Sequence, residues 1–298
     1  MSRKTGFTLV ELLIVIAVLA ILMAILLPAL SRVKDQARLV ICGSNQRQLI
    51  FGLTLYANSN GGKLPPSPSH LGSRHIGNLH RPFELNWYGN VFKMLSDAEL
   101  ADPGYRYAGR YLSSYLPDVK VFNCPLSRIK DSTLWPPPTS GSPPQGTYGE
   151  FYRSGRYSNL HSTYMLLWNY HGYNHQLSSG VEKALGHFEA PRTVSDKNKL
   201  VVQDSLFYLT SNTNILWPSP TYSWYSCHPF KQSVLANPYY TLSAPGLDSP
   251  AALKDPKNRP YVHLNAGYLD GRVERFKSSE AIPVKNKNAP ACLAPHYR

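Results

Sequence analysis

The chain has 298 residues, of which only 16% are charged, whereas an average soluble domain has roughly 25%. Its 25 prolines and 20 glycines exclude a coiled coil, a collagen and a long helical bundle, and 43% hydrophobic residues argue against a disordered chain. The formal net charge of +13 is spread along the chain. This spread favours a solvated basic surface over binding to nucleic acid or another anionic polymer.

The N-terminus carries the pattern of a membrane anchor. Residues 1–6 are short and basic, with Arg3 and Lys4, and no charged residue occurs from Leu12 to Ser31. Because about 20 apolar residues span the hydrocarbon core of a bilayer, we predict a transmembrane helix over residues 7–30. The basic residues place the N-terminus in the cytoplasm and the rest of the chain across the membrane.

Glu11 distinguishes this segment from an ordinary secretory signal. Such a signal ends in a small-residue cleavage site, which is not seen after the apolar run. A carboxylate next to the hydrocarbon is costly and is therefore a candidate functional group. The alternative is that Glu11 lies at the level of the lipid headgroups, close to the cytoplasmic face.

The residues Gly6-Phe7-Thr-Leu-Val-Glu11-Leu-Leu resemble the type IV prepilin signal shared by pilins and the pseudopilins of type II secretion. The resemblance implies that a prepilin peptidase cuts between Gly6 and Phe7 and removes the leader 1–6. The new amino group of Phe7 is then N-methylated. It further implies an inner-membrane subunit, with its body periplasmic or extracellular, that assembles with other pilin or pseudopilin subunits.

Two further residues acquire roles from this resemblance. Cleavage creates a positive amine at Phe7, and Glu11 of one subunit can pair with that amine of a neighbour in a filament. Pro28 lies where the family has a helix-kinking proline, and proline removes a backbone donor and clashes with the preceding turn.

The helix is predicted to continue as an amphipathic segment over residues 31–60, ending at Asn58–Gly62. The remaining 61–298 form a globular body with a surface loop at 131–148. An apolar stripe runs along this helix and needs a sheet to cover it. Its residues are Leu30, Val33, Ala37 and Ile41, followed by Leu49, Leu53 and Tyr56. The predicted fold class is therefore α+β, a long N-terminal helix packed on an antiparallel sheet. The candidate strands are Val119–Phe122, Thr163–Trp168, Lys199–Phe207, Tyr261–His263 and Val273–Phe276.

Parts of the body resemble a group of bacterial prepilin-type proteins described by a C-terminal His…Asp-Gly signature. The resembling segments are Cys42–Leu49, Phe122–Pro125, Pro191–Ser205 and His263–Val273. In the last segment, His263 is closer to Asp270-Gly271 than is usual in the group. On their own, Asn265–Gly267 and Asp270-Gly271 are typical of turns. A metal or proton-transfer pair of His263 and Asp270 is the alternative.

The four cysteines are Cys42, Cys124, Cys227 and Cys292. A body across the membrane lies in an oxidising compartment, and four cysteines allow three pairings. Two of the resembling segments carry Cys42 and Cys124, so the resemblance implies a disulfide between them. Cys227 and Cys292 are the remaining candidates for a pair.

No nucleophile, phosphate-binding or metal motif occurs in the sequence, so we expect no enzyme, no cofactor and no metal. His171 and His175 are separated by turn-forming residues, which does not favour a shared metal face. The leading hypothesis is a pilin-like structural subunit of a type II secretion pseudopilus or a type IV pilus. The alternative is a membrane-anchored surface protein whose aromatic, basic body binds polysaccharide or DNA.

Overall fold

A computed structural model describes twelve segments of the chain. They are residues 9–66, 111–112, 114–116, 119–127, 162–169, 188–209, 223–231, 233–236, 239–244, 247, 250–285 and 291–293. The leader, with Gly6 and Phe7, and the predicted loop at 131–148 lie outside the described residues.

The described residues form two α-helices and ten strands, with short 3-10 turns between some of them. The helices are α1 (Leu9–Ser59) and α2 (Pro250–Lys254). The strands are β1 (Tyr164–Leu166), β2 (Leu200–Asp204), β3 (Leu206–Leu209), β4 (Ser223–Ser226), β5 (Val234–Ala236), β6 (Tyr239–Ser243), β7 (His263–Tyr268), β8 (Val273–Lys277), β9 (Val284–Lys285) and β10 (Ala291–Leu293).

Helix α1 is continuous through Pro28 and ends where the sequence predicts. Gly61 and Gly62 adopt positive φ angles of 61° and 80°, a conformation that glycine accepts without steric cost. The N–H of Gly62 donates to the Ala57 carbonyl at 2.8 Å, which satisfies one of the last carbonyls of the helix. The kink at Pro28 stays a prediction.

The strands form two antiparallel sheets. One has four strands in the order β1-β2-β7-β8, and the other has six in the order β5-β6-β4-β3-β10-β9. Only Ser205 separates β2 from β3, so the chain passes from the first sheet to the second within one residue. A long helix with a body of antiparallel sheets confirms the predicted α+β class.

Within the part of the chain that the structure describes, it is the C-terminal part of α1 that packs on the body, against β2, β7, β8 and the turns around Cys124. Its buried side chains are Cys42, Gln46, Leu49, Ile50, Leu53 and Ala57. Leu30, Val33 and Ile41 are exposed, so the predicted stripe is wrong in its first half. The reason is that the described part of the body begins beside Cys42 and not beside Leu30.

Gly267 on β7 permits the close approach of helix and sheet. A Cβ atom at this position would lie 2.8 Å from Val202 Cγ1 and 2.9 Å from Ile50 Cδ1, closer than side chains normally approach. The predicted turn at Asn265–Gly267 is therefore wrong. These residues lie inside β7, held between β2 and β8.

Some of the other local predictions are confirmed and others are wrong. The turn at Asp270-Gly271 is confirmed, since Gly271 has a φ of 85° and its N–H donates to the Tyr268 carbonyl at 2.9 Å. Strands β1 and β8 lie at the predicted places, and the predicted Lys199–Phe207 strand is interrupted at Ser205. Val119–Phe122 is a 3-10 helix packed beside α1, although its valines favour a strand.

Candidate functional site

The N-terminal part of α1 presents aliphatic side chains on all sides. Their exposure runs from 47% at Val15 to 81% at Leu9, and the most apolar stretch has no residue buried inside the molecule. Soluble monomers rarely expose an apolar surface of this extent. The helix is long and apolar enough to cross a membrane and lies near the N-terminus, which fits a membrane anchor. Glu11 lies in its first turn.

A second feature lies where α1 meets the body. Four side chains meet there, each at most 2% exposed, namely Cys42, Cys124, Asp204 and His228. Each offers one atom that could bind a metal ion, and these four atoms lie within 4.8 Å of one another. Cys42 comes from α1, Cys124 from the turn before Pro125, Asp204 from the end of β2, and His228 from the segment after β4. We call these four residues the Cys-His-Asp cluster.

The distances within the cluster are short. Cys42 Sγ lies 3.0 Å from Asp204 Oδ1, and His228 Nε2 lies 3.1 Å from Cys124 Sγ. His228 Nε2 is also 3.2 Å from Asp204 Oδ2 and 3.8 Å from Cys42 Sγ. The imidazole nitrogen therefore faces two sulfur atoms and a carboxylate at once.

Surrounding groups fix the orientation of the histidine and the carboxylate. His228 Nδ1 lies 2.6 Å from the His263 carbonyl oxygen, so Nδ1 carries the proton and Nε2 faces the cluster. Asp204 Oδ2 accepts the backbone N–H of Asn265 at 2.6 Å, and Oδ1 accepts Nε2–H of Gln46 at 3.1 Å.

Burial controls the ionisation of the sulfur atoms. It raises the pKa of the Cys124 thiol to about 12, with a further contribution from the neighbouring Cys227. Burial likewise raises the pKa of Cys227 to about 12. Burial alone would lower the pKa of His228, but the charge of Asp204 beside it raises that pKa well above its usual value. Without a bound metal ion, Cys124 and Cys227 are protonated at neutral pH.

The same residue types build cysteine nucleophiles, but this arrangement does not fit that role. In a nucleophilic triad the carboxylate holds one ring nitrogen of the histidine and the nucleophile contacts the other. Here Asp204 and both sulfur atoms face Nε2, and Nδ1 is used by a carbonyl. Reactive cysteines are also partly exposed and have lowered pKa values, whereas Cys124 is buried with a raised one.

Residues 1–27 match the family model described as "Prokaryotic N-terminal methylation motif". The chain carries the N-terminal methylation motif. The matched residues include Gly6, Phe7 and Glu11, so the sequence and the exposed apolar helix together are consistent with a prepilin-like protein. Comparison with curated proteins and with solved structures found no match. The C-terminal His…Asp-Gly resemblance stays a prediction.

The structure separates the two residues of that C-terminal signature. His263 begins β7 and Asp270 follows its end, so they lie roughly 20 Å apart at about 3.3 Å per residue. They do not form a metal or proton-transfer pair. Asp270 instead accepts the N–H of Arg272 within the turn, and His263 contributes its carbonyl to His228.

The predicted cysteine pair is brought together but not as a disulfide. Cys42 and Cys124 are free thiols, as is Cys227, and the first two belong to the Cys-His-Asp cluster. Their contacts with Asp204 and His228 replace the predicted bond. The side chain of Cys292 lies outside the described residues, so its pairing with Cys227 stays a prediction. Sequence reasoning missed Asp204 and His228 because no local spacing connects them to the cysteines.

Proposed function

We propose that this chain is a pilin-like structural subunit of a type IV pilus or a type II secretion pseudopilus, with no catalytic role. A prepilin peptidase removes residues 1–6, Phe7 becomes the N-methylated N-terminus, and the helix then mediates assembly. Before assembly the subunit is held in the inner membrane with its N-terminus cytoplasmic and its body periplasmic.

The observation that carries this proposal is that the continuous helix α1 has two parts with different surroundings. Its N-terminal part is apolar, exposed and matched by the methylation motif, whereas its part from Cys42 onward is the core helix of the body. A removable signal peptide needs no rigid continuation into the folded body. A helix that joins anchor and body without interruption suits a subunit whose anchor packs against neighbouring anchors.

Glu11 has a defined part in this proposal. Removal of the leader leaves a positive amine at Phe7 next to apolar surface, and a carboxylate from an adjacent subunit offsets the cost of burying it. The pair would set the axial position of one subunit relative to the next. Glu11 is thus proposed to be an assembly residue and not a catalytic one.

The proposal is tested by co-expressing the full chain with a prepilin peptidase and measuring the intact mass and the N-terminal peptide. We expect loss of residues 1–6 and one methyl group on the amine of Phe7. Gly6→Val should remain uncut because a side chain blocks close approach to the backbone, whereas Thr5→Val, one residue earlier, should still be cut.

Two results would contradict the proposal. One is a chain that stays uncut in the presence of active peptidase, and the other is cleavage beyond residue 27, as a secretory signal would show. An uncut, membrane-held chain whose body binds soluble polysaccharide or DNA would support the surface-binding alternative instead.

A further inference from the structure

We propose that the Cys-His-Asp cluster is a structural binding site for a zinc ion. The four ligands would be Cys42 Sγ, Cys124 Sγ, His228 Nε2 and one carboxylate oxygen of Asp204. This inference rests on the buried contacts of the body and does not depend on the proposed assembly function.

The dimensions of the cluster match a tetrahedral zinc site. Zinc lies about 2.3 Å from sulfur and about 2.0 Å from nitrogen or oxygen, so the edges between ligand atoms of a tetrahedron are roughly 3.3–3.8 Å. Four of the contacts in the cluster measure 3.0, 3.1, 3.2 and 3.8 Å, with the 3.0 Å contact at Oδ1 of Asp204 and the 3.2 Å contact at Oδ2. One ligand atom from each residue lies within 4.8 Å of the other three. Small displacements of the side chains would therefore admit the ion without a change in the backbone.

The outer contacts are those that metal-binding histidines and carboxylates require. A ligating histidine usually donates its second ring N–H to a carbonyl or carboxylate, which fixes the tautomer that presents the lone pair to the metal. The His263 carbonyl, 2.6 Å from His228 Nδ1, supplies this contact. The hydrogen bonds to Asp204 from Asn265 and Gln46 hold the carboxylate in the same way.

Charge is compatible with the ion. The buried carboxylate of Asp204 needs a cation beside it, which is the imidazolium of His228, 3.2 Å away, in the metal-free cluster. A divalent ion would take over this role. A divalent ion would be bound by two thiolates, one carboxylate and a neutral imidazole. Binding requires Cys42, Cys124 and Nε2 of His228 each to release a proton to solvent, and the step needs no oxidant or reductant.

The donor set also defines the type of site. Two sulfur atoms and an imidazole suit zinc better than calcium or magnesium, which prefer oxygen ligands. Four protein ligands leave no open position for water or substrate, which is the mark of a structural site. Because the ligands come from α1, β2, the turn at Cys124 and the segment after β4, the ion would join the helix to both sheets.

The direct test is the zinc content of the full-length chain, purified in detergent without a histidine tag, under reducing conditions and without chelator. We expect about one zinc ion per chain in the wild type and loss of most of it in Cys42→Ser and Cys124→Ser. Cys227→Ser is the matched control, since it removes a buried thiol next to Cys124 that is not among the four ligands. It should keep its zinc.

Further measurements test the site even if the cysteine variants fail to fold. Gln46→Met keeps the volume of the side chain but removes its hydrogen bond to Asp204, and should lower zinc affinity by about 10-fold or more. Wild-type chain stripped by a chelator should melt at a lower temperature, and Zn²⁺ but not Mg²⁺ should restore the original value. Co²⁺ added to the stripped chain should give the intense visible bands of a tetrahedral thiolate site.

Three results would overturn the inference. They are a reduced wild-type chain that contains no zinc and gives no tetrahedral Co²⁺ spectrum, a zinc content unchanged in Cys42→Ser and Cys124→Ser, and a metal-free native chain with Cys42 joined to Cys124 in a disulfide.

Discussion

Arg259 shows how one buried cation organises a part of the body through backbone carbonyls. Its guanidinium donates to the backbone carbonyls of five residues on two segments, namely Leu253, Lys254, Ser278, Ser279 and Ala281. The planar fork of arginine suits such an array, because its donors point in fixed directions. Arg259 thereby joins the end of α2 to the turn after β8.

Arg259→Lys should lower the free energy of unfolding by about 2–4 kcal/mol, since a single ammonium leaves several buried carbonyls without a donor. Arg275→Lys is the matched control, because Arg275 is exposed, and its effect should stay below about 0.5 kcal/mol. Urea unfolding of the full chain in detergent, followed by tryptophan fluorescence, measures both. Equal effects of the two changes would show that the carbonyl contacts contribute nothing specific.

At the scale of the element, two glycines of α1 lie in opposite surroundings. A Cβ atom at Gly52 would lie 2.6–2.9 Å from three atoms of the Leu116 side chain, whereas one at Gly43 would meet, among the described residues, Val273 Cγ1 at 3.7 Å. Gly52 therefore permits close packing against the segment at Leu116. Gly43 only lowers the intrinsic stability of the helix.

Gly52→Ala should destabilise the chain by about 1–3 kcal/mol, because the buried Leu116 has to leave its position. Gly43→Ala, on the same helix, should instead stabilise it by about 0.5–1 kcal/mol through the gain in helix propensity. Urea midpoints measured under identical detergent conditions give both values. A stabilising Gly52→Ala would mean that α1 does not pack against Leu116 as closely as the structure has it.

The elements differ in how far the sequence predicts them. The length of α1 and its end at Gly61 and Gly62 follow from local patterns, because helix periodicity and stop residues act within a few turns. Strand β4, Ser-Trp-Tyr-Ser, is buried at all four positions and lacks the alternation that marks a half-exposed strand. Short, fully covered strands of this kind are defined by their neighbours and not by their own sequence.

The two candidate sites, the N-terminal signal and the Cys-His-Asp cluster, also differ in how far the sequence predicts them. The N-terminal signal is contiguous, so Gly6, Phe7 and Glu11 can be found by reading along the chain. Asp204 and His228 reach Cys42 only through the pairing of strands and the packing of α1, over more than 150 residues of sequence. The resemblance correctly joined Cys42 with Cys124 in space, but the bond that it implied is not the contact that forms.

At the scale of the whole molecule, the chain has an anchor part and a body part that share one helix. Cys42 is the first buried side chain along the described part of α1, so the Cys-His-Asp cluster lies at the point where the helix enters the body. In the proposed assembly, a pull on the N-terminal part of α1 would reach the body first at this junction. A subunit extracted from a membrane into a filament needs such a junction to hold.

The most direct test of the assembly role is filament formation by Glu11→Val beside the wild type. The change leaves Gly6 untouched and makes the helix more apolar, so membrane insertion and processing should continue. Assembly should fail, because each contact between subunits would leave a Phe7 amine without its carboxylate, at a cost of about 3–5 kcal/mol. Glu11→Asp is the control that keeps the charge and should retain part of the yield.

The measurement is the yield of sheared filaments from cells with a complete secretion or pilus machinery, at matched levels of processed chain. The account predicts filaments that contain the wild-type chain and few or none with Glu11→Val. Filaments of normal yield from Glu11→Val would contradict the pairing of Glu11 with Phe7, and a processed wild-type chain that never enters filaments would contradict its role as a pilin-like subunit.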